Sequence, residues 1–424
     1  MKFYLQTYGC KLNQSDSELI KGILSRKFIE ATSEKEADFV IFNTCAVVKK
    51  TEDKILKTAK FLKNKGKKII IAGCLPSVCP EKCQEIADGI IGATNLRDIG
   101  KIAGSVLKNK KISLLKKEFI DKADLCNLKK REGKTNSAIV AVSEGCLGNC
   151  SYCATKSARR ELNSFNMGSI IKEIKGALNK EYKEIQLTSQ DMAVYGADKG
   201  KQTLPELLQK ISGIDGGFRV KIGMMNPGAA KPIFEKLLKT MESPKFYKFL
   251  HLPLQSGSDE LLKQMKRGYK AKDFAAISKK FRKKFRNGVL ATDIIAGHPL
   301  ETEKDFAETV KILKQTKPDI VHIFKFSARP NTDDVKLKDI PDRIKKDRSR
   351  ILTKIFEETN AKRNKKFIGK KQEVLIIKKE KTGCLARNDS GRAVIIKNAG
   401  KSIGSFAKIR ITGSKWNYLL GELA

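Results

Sequence analysis

The sequence predicts an α/β protein in three parts: a small parallel α/β domain, a partial (β/α)6 barrel and a small C-terminal β-barrel. Residues 1–108 alternate short apolar runs with helical patterns, and the alternation resumes on a larger scale from residue 138. Residues 367–424 instead hold short apolar runs separated by Gly and Asn, a pattern typical of antiparallel strands. With 424 residues, 40% of them apolar, the chain is long enough for several packed domains.

In the first part, residues 1–108, three apolar runs each end in a cysteine. We call Cys10, Cys45 and Cys74 the edge trio. Because the carboxyl ends of parallel strands meet at one edge of a sheet, where open α/β sheets bind ligands, we expect these thiols to lie together. An iron–sulfur cluster with one open site is the main hypothesis. A zinc site and inert thiols remain alternatives, since a buried cysteine is usually a small core residue.

The middle of the chain is predicted to contain a linker followed by a partial barrel. Residues 109–137 are polar and basic and are interpreted as a linker. Residues 138–366 contain six apolar runs separated by helical patterns, which fit an incomplete (β/α)6 barrel. Thr302 precedes Asp305 by three residues, a spacing that predicts a helix start. A basic helix over 343–366 leads out of the barrel.

The strongest local motif follows the first barrel strand. It is Cys146-x-x-x-Cys150-x-x-Cys153, here called the loop trio. Three thiolates in a short loop can bind three irons of a [4Fe–4S] cluster and leave the fourth iron open. The amino and carboxylate groups of S-adenosylmethionine can occupy that iron, and electron transfer can then break the sulfonium C–S bond. A zinc knuckle is the alternative, although the three-residue first gap is unusual for zinc.

Polar residues that follow the second and fourth barrel strands stand where barrel enzymes place ligand contacts. We assign six of them to S-adenosylmethionine: Ser189, Gln190, Asp191, Gln255, Ser256 and Ser258. A helix N-cap or a polar loop position is the alternative for these residues. No side chain is assigned as catalytic, and the histidines His251, His298 and His322 receive no role, because hydrogen abstraction by a radical needs no imidazole base. The remaining cysteines are interpreted as structural: Cys79, Cys83, Cys126 and Cys384.

The charge of the chain predicts a polyanionic partner. Its 86 basic and 47 acidic side chains give a net charge of +39. Nucleic acid is favoured over a membrane, because no apolar run approaches the ~18 residues of a spanning helix. The N-terminus lacks a secretory signal, so we expect a cytoplasmic protein whose cysteines serve metal or redox chemistry. RNA contacts are expected from the C-terminal part and from the pairs Lys279-Lys280, Lys283-Lys284 and Lys345-Lys346.

Together these motifs resemble the methylthiotransferase family of radical-SAM enzymes, and most of all its archaeal and eukaryotic branch. The resemblance covers nearly the whole chain and is carried by YGCKLNQSDSE, NTC, AGCLP, GCLGNCSYCATK, LTSQDMAVYGAD, IGMMNP and HLPLQSGSDELLKQMKRGY. It implies that the edge trio ligates an auxiliary [4Fe–4S] cluster and the loop trio the radical-generating one. It also implies a TRAM domain that binds RNA, and two S-adenosylmethionine molecules per turnover, one for the methyl group and one for the 5′-deoxyadenosyl radical.

The activity implied by this resemblance is conversion of N6-threonylcarbamoyladenosine at position 37, in the tRNA anticodon loop, to its 2-methylthio derivative. We expect a monomer that draws electrons from a low-potential donor. One alternative is a sibling enzyme acting on N6-isopentenyladenosine-37 or on a ribosomal-protein aspartate. The other is a non-catalytic RNA-binding iron–sulfur protein.

Two positions depart from the family pattern. The run Gly297-His298-Pro299-Leu300-Glu301 replaces the usual Gly-Phe-Pro-Gly-Glu, so its local contacts are expected to differ. After the loop trio, Ala158-Arg159-Arg160 stands where the family commonly has Arg-Gly, which gives the backbone less freedom.

Overall fold

The computed structural model of the chain describes residues 1–116, 118, 120–131, 135–397 and 402–424. They form two compact units. Unit 1 comprises Met1–Glu132, Ala141–Glu173 and Ser327–Lys336, and unit 2 comprises Gly133–Val140, Ile174–Phe326 and Leu337–Ala424. No helix in the described ranges has both the length and the apolar character needed to cross a membrane.

Strands and short helices alternate along most of the chain. The strands are β1 Lys2–Thr7, β2 Ile29–Glu30, β3 Phe39–Thr44, β4 Lys68–Gly73, β5 Gly89–Gly92, β6 Ile112–Leu114, β7 Ser137–Ala141, β8 Ser143–Glu144, β9 Asn163–Ser164, β10 Glu184–Thr188, β11 Arg219–Lys221, β12 Phe249–His251, β13 Val289–Ala296, β14 Ile320–Lys325, β15 Lys371–Glu380, β16 Gly383–Asn388, β17 Ala393–Ile396, β18 Phe406–Ser414 and β19 Leu419–Leu423. The α-helices are α1 Lys11–Leu24, α2 Lys49–Asn64, α3 Cys74–Val78, α4 Pro80–Gln84, α5 Ile99–Leu107, α6 Ala154–Arg159, α7 Met167–Asn179, α8 Leu204–Ser212, α9 Pro227–Ala230, α10 Phe234–Thr240, α11 Asp259–Gln264, α12 Ala271–Lys284, α13 Glu303–Thr316 and α14 Asp342–Lys365.

Unit 1 is built on a six-stranded parallel sheet in the order β2-β1-β3-β4-β5-β6. All six residues of β3 are buried, because a parallel sheet is covered on both faces, and the first four of them are apolar. Alternate side chains enter two separate cores, with Val40 and Ile71 in one and Ile41 and Ile70 in the other. This confirms the small parallel α/β domain predicted for the N-terminal part.

Part of the segment 109–137 is built into unit 1 instead of linking two domains. β6 adds to the sheet edge beside β5, and Lys122 and Lys129 are only 3% and 5% exposed. Their ammonium groups neutralise buried carboxylates of unit 1, so the prediction of an exposed linker is wrong for these residues. Residues 117, 119 and 132–134 of this segment lie outside the described ranges.

Unit 2 contains the six strands predicted for the partial barrel. They form two three-stranded sheets, β11-β10-β7 and β12-β13-β14. A parallel bridge between Val220 and Phe246 joins the sheets, and the Val220 amide donates to the Lys245 carbonyl at 2.7 Å. The expected helix start is also present, because Thr302 and Asp305 form a capping box at α13.

A closed five-stranded barrel in the order β15-β16-β17-β19-β18 completes unit 2. Ion pairs with two buried carboxylates attach this barrel to the two three-stranded sheets of unit 2. Arg392 lies 2.6 Å from Asp319, and Arg387 lies 3.0 Å from Glu184. The C-terminal β-barrel expected from the sequence is therefore present and packed against its neighbour. Residues 398–401, which end the predicted run RAVIIKN and follow it, lie outside the described ranges.

The run Gly297–Glu301 keeps an ordered turn despite its unusual sequence. His298 is fully buried, and its ring packs edge-on against Phe326 with centroids 4.9 Å apart. Glu301 accepts a hydrogen bond from the Gly297 amide at 2.8 Å and pairs with Arg348 at 2.6 Å. The histidine that departs from the family pattern is therefore accommodated in the interior, where its imidazole packs against Phe326.

Candidate metal centre

The edge trio follows three neighbouring strands of the sheet in unit 1. Cys10 comes after β1 and caps α1, Cys45 follows β3 directly, and Cys74 follows β4 and begins α3. Because β1, β3 and β4 are adjacent and parallel, all three residues lie at the carboxyl edge, as the sequence predicted.

The backbone passes close to Cys45 of the edge trio. Gly9 has φ +109°, and a side chain there would come within 2.9 Å of the Cys45 Cβ atom, so the chain passes Cys45 at this point only as glycine. The pKa of the Cys74 thiol is raised to about 11, mainly by burial and also by the neighbouring Cys45 and Cys10 thiols. Thiols so placed release protons when a metal binds, and the metal charge then replaces the lost solvation.

A fully buried guanidinium borders the edge trio. Arg159 is 1% exposed and lies 2.7 Å from Asp16, and it also pairs with Glu144. It contacts the Cys74 thiol and lowers the pKa of that group. Burial alone would raise the pKa of Asp16, but Arg159 and the nearby ammonium of Lys122 bring it below its usual value. The trio therefore lies beside a permanent positive charge held by two carboxylates.

Amide side chains support the same edge of the sheet. The Asn13 Nδ2 atom donates to the Thr44 carbonyl at 2.7 Å, and Asn43 donates to the Asn13 carbonyl at 2.8 Å. The Cys10 thiol lies 3.3 Å from Asn13 Oδ1. Sequence reasoning missed these residues, although one signal was available: Asn13 and Asp16 are polar residues that stand between apolar ones in the first turns of α1 and are buried there.

Each cysteine of the loop trio is partly exposed, whereas the edge trio ranges from the exposed Cys10 to the buried Cys74. A backbone amide of this loop donates to one of its sulfur atoms: the Gly148 amide donates to the Cys146 thiol at 3.2 Å. The Cys153 amide donates to the Cys150 carbonyl at 3.1 Å. These short-range contacts hold three thiols within one loop, which is the arrangement that the spacing predicted.

A backbone strap closes the loop at its base. Gly145 has φ +78°, and a Cβ atom there would lie 1.8 Å from the Glu161 carbonyl oxygen. Lys156 donates to the Cys146 carbonyl and pairs with Glu161 at 2.7 Å. Arg160 has φ 64° and ψ −152°, a region that glycine alone occupies without strain. The loss of backbone freedom expected at Arg160 is therefore visible as strain.

Arg159 joins the two trios within unit 1. It is the last residue of α6, which begins directly after Cys153, and its side chain reaches Asp16 and Cys74. The structure thus brings both groups of thiols predicted from the sequence into one compact unit.

Two of the residues assigned to S-adenosylmethionine act as helix N-caps. Asp191 accepts hydrogen bonds from the amides of Ala193 and Asn226, both at 3.0 Å. Ser258 accepts from the Leu261 amide at 3.3 Å at the start of α11. The N-cap alternative describes these two side chains, because Asp191 Oδ1 and Ser258 Oγ already have protein partners.

The other four assigned residues differ among themselves. Ser256 shares its hydroxyl with Thr309 at 3.4 Å. Gln255 has φ +69°, an unusual value for a residue other than glycine. The Ser189 Oγ and Gln190 Oε1 atoms are buried and have no hydrogen-bond partner among the described residues. Such orphaned atoms are costly unless a ligand satisfies them, so these two are the stronger ligand contacts.

The lysine pairs expected to bind RNA are only partly available. Lys279, Lys280, Lys283 and Lys284 are exposed on α12. Lys345 is buried, and its ammonium donates to the Phe326 carbonyl at 3.1 Å and pairs with Asp339 at 2.6 Å. The expectation of a phosphate contact is wrong for Lys345, because the ammonium is committed within unit 2.

Three family models match successive parts of the chain. They are the Uncharacterized protein family UPF0004 over residues 2–92, the Radical SAM superfamily over 140–313 and the TRAM domain over 365–424. A protein of Archaeoglobus fulgidus named probable threonylcarbamoyladenosine tRNA methylthiotransferase is 44% identical over 100% of this chain and 99% of its own length. The chain belongs to the threonylcarbamoyladenosine tRNA methylthiotransferase family.

Other relatives carry the same name or the name of a different tRNA-modifying enzyme. The human protein of that name is 31% identical over 99% of this chain and 74% of its own length. The tRNA-2-methylthio-N(6)-dimethylallyladenosine synthase of Clostridium botulinum is 33% identical over 99% and 96%. Among solved structures, the radical S-adenosylmethionine methyltransferase TsrM from Kitasatospora setae has a TM-score of 0.59 at 10% identity, covering 78% of this chain and 73% of its own, which shows a shared fold alone.

This family membership confirms the family that the sequence predicted. The chain is a radical-SAM enzyme of the transferase class. Membership of that superfamily implies S-adenosylmethionine and one [4Fe–4S] cluster, and the TRAM domain is consistent with a tRNA substrate.

Proposed function

We propose that this enzyme converts N6-threonylcarbamoyladenosine at position 37 of tRNA to its 2-methylthio derivative. The main support is that two separate trios of thiols occur in one compact unit, in which Arg159 ends the helix that follows the loop trio and contacts Cys74 of the edge trio. Transfer of a methylthio group needs both a source of radicals and a holder of sulfur, and a second metal site supplies the latter. We therefore assign one [4Fe–4S] cluster to each trio.

The residues of the edge trio suit an auxiliary cluster. Thiolates are the usual protein ligands of iron–sulfur clusters, and three of them leave one iron open for an exogenous sulfur. The neighbouring charge of Arg159 offsets part of the negative charge that three thiolates bring into a buried place. Hydrogen bonds of Asn13 and Asn43 join the start of α1 to the end of β3, and so hold Cys10 and Cys45 at a constant spacing.

The residues of the loop trio suit the radical-generating cluster. When bound, the two clusters and S-adenosylmethionine supply the methyl group and the 5′-deoxyadenosyl radical that removes hydrogen from C2 of the adenine. We assign Ser189 and Gln190 to hydrogen bonds with S-adenosylmethionine, because their buried oxygen atoms lack protein partners among the described residues. The wall of the S-adenosylmethionine site would be formed by the other four assigned residues, Gln255, Ser256, Ser258 and Asp191.

The RNA is bound, on this proposal, by unit 2. Besides the TRAM barrel, an open cleft of unit 2 is lined by basic residues: Arg286, Lys317, Lys362, Arg363, Lys366 and Lys370. Phosphate contacts of this kind position the RNA, while an unpaired anticodon-loop base remains free to enter an active site. The proposal includes a low-potential electron donor and a monomeric enzyme that meets its tRNA in the cytoplasm.

The test is nucleoside analysis after turnover. Cluster-loaded protein is incubated anaerobically with reductant, S-adenosylmethionine and tRNA that carries N6-threonylcarbamoyladenosine, and the digested nucleosides are measured by mass spectrometry. We expect the 2-methylthio product. Absence of that product from protein that carries about eight irons per chain would overturn the proposal.

Parallel acceptors separate the alternatives. Product from tRNA containing N6-isopentenyladenosine, or from the ribosomal-protein aspartate, would point to a sibling activity. Zinc in place of iron would instead favour a non-catalytic RNA-binding protein.

A further inference from the structure

Two histidines and an aspartate that the proposed reaction does not use lie together in unit 2. The His251 Nε2 atom is 2.8 Å from Asp293 Oδ1, and the rings of His251 and His322 are 5.7 Å apart. Within the described ranges, this is the one group of three His, Cys, Asp or Glu side chains whose ligand atoms all lie within 4.8 Å of one another.

The sheet fixes the positions of these three residues. His251 ends β12, and the next strands contribute Asp293 from β13 and His322 from β14, which stand directly opposite each other. Because side chains alternate along a strand, they share one face with Phe249 and Ala291, which pack together as a small core. Three adjacent strands therefore hold the group before any ligand arrives.

We propose that His251, Asp293 and His322 bind a divalent transition-metal ion. Two imidazoles and one carboxylate are a recognised ligand set for such ions, and three protein ligands leave positions open for water or substrate. Ligand atoms that are each about 2.1 Å from one ion lie roughly 3–3.5 Å apart. The spacing of His251 and Asp293 is close to this, and a small rotation of His322 completes the site.

The candidate site is open at one edge. The partly exposed edge of the site leaves a path for the ion, because His322 is exposed while Asp293 is buried.

Lys221 provides a way to identify the ligand. Its ammonium lies 4.1 Å from the centre of the Phe249 ring, and its charge acts on His322. A nearby positive charge weakens binding of a metal cation but strengthens binding of a carboxylate or phosphate. Removal of this charge therefore changes the affinity in opposite directions for the two classes of ligand.

The experiment is a titration of the cluster-loaded chain with Mn²⁺, measured anaerobically by the electron paramagnetic resonance signal of the free ion. Mn²⁺ suits nitrogen and oxygen ligands and avoids the thiolates of the two trios. We expect one Mn²⁺ per chain, affinity weaker by about tenfold or more in His322→Asn, and affinity tighter by roughly fivefold in Lys221→Met. Asp342→Asn, which changes an exposed carboxylate of unit 2, is the matched control and leaves the affinity unchanged.

Three results would overturn the proposal. They are no Mn²⁺ binding at millimolar concentration, equal binding by the wild type and His322→Asn, and weaker binding by Lys221→Met. Circular dichroism checks that each variant is folded. If His322→Asn is unfolded, His251→Asn replaces it, with the same expected loss of affinity.

Discussion

The edge trio and the loop trio each present three thiols, but they do so in two different ways. The edge trio is collected from the ends of three parallel strands, lies beside buried charges and includes the buried Cys74. The loop trio comes from one continuous loop with partly exposed cysteines, and local backbone contacts close it at Gly145 and Glu161. One site is made by tertiary structure and the other by a local turn.

This difference predicts how each site fails. Changes near the edge trio should destabilise all of unit 1, because its supports are buried charges with partners far along the chain. Changes near the loop trio should remove the ligand loop while the sheet survives. The variants below test this contrast, beginning with the largest expected effect.

Arg159→Met should have the largest effect. It removes a buried charge and leaves Asp16 and Glu144 to share Lys122, so we expect the free energy of unfolding to fall by about 3–5 kcal/mol. Urea denaturation measures the change, and Arg159→Lys, which keeps the charge, should lose less. A loss below about 1 kcal/mol for the methionine variant would show that the buried network is not a main support.

Gly145→Ala should damage the loop trio alone. The new Cβ atom would lie 1.8 Å from the Glu161 carbonyl, so the strap must open at a cost of about 2 kcal/mol. We expect iron to fall from about eight to about four per chain. Gly104→Ala, where the space around the new Cβ is open, is the control and should keep all the iron. Retention of full iron by Gly145→Ala would contradict the proposed role of the strap.

Arg160→Gly should have the smallest effect, and in the opposite direction. Glycine relieves the strain at φ 64° and ψ −152°, while its greater freedom in the unfolded chain offsets part of that gain. We expect the free energy of unfolding to rise by about 1 kcal/mol, measured by urea denaturation, with unchanged iron. A decrease would show that contacts of the arginine side chain outweigh the backbone strain.

The sequence predicted those features that depend on local patterns. Strand ends marked by cysteines gave the edge trio, spacing gave the loop trio, and the Thr302–Asp305 signal gave the start of α13. The Arg159–Asp16 pair was not predictable, because these residues are far apart in the sequence and nothing local shows that they meet.

Residue type alone also misled the prediction. Lys122 and Lys345 were expected in solvent as parts of basic segments. Each is instead buried, because its ammonium group forms an ion pair with a carboxylate. His251 and His322 received no role, because hydrogen abstraction by a radical needs no imidazole base. The order of strands that brings them together with Asp293 cannot be read from either residue's neighbours.

The most direct test of the two-cluster account is an iron count on anaerobically reconstituted protein. Wild-type chain should hold about eight irons, and a variant with Cys10, Cys45 and Cys74 all changed to alanine should hold about four. That variant should still cleave S-adenosylmethionine to 5′-deoxyadenosine but form no methylthiolated nucleoside. Equal iron in the two proteins would contradict the assignment of a cluster to the edge trio.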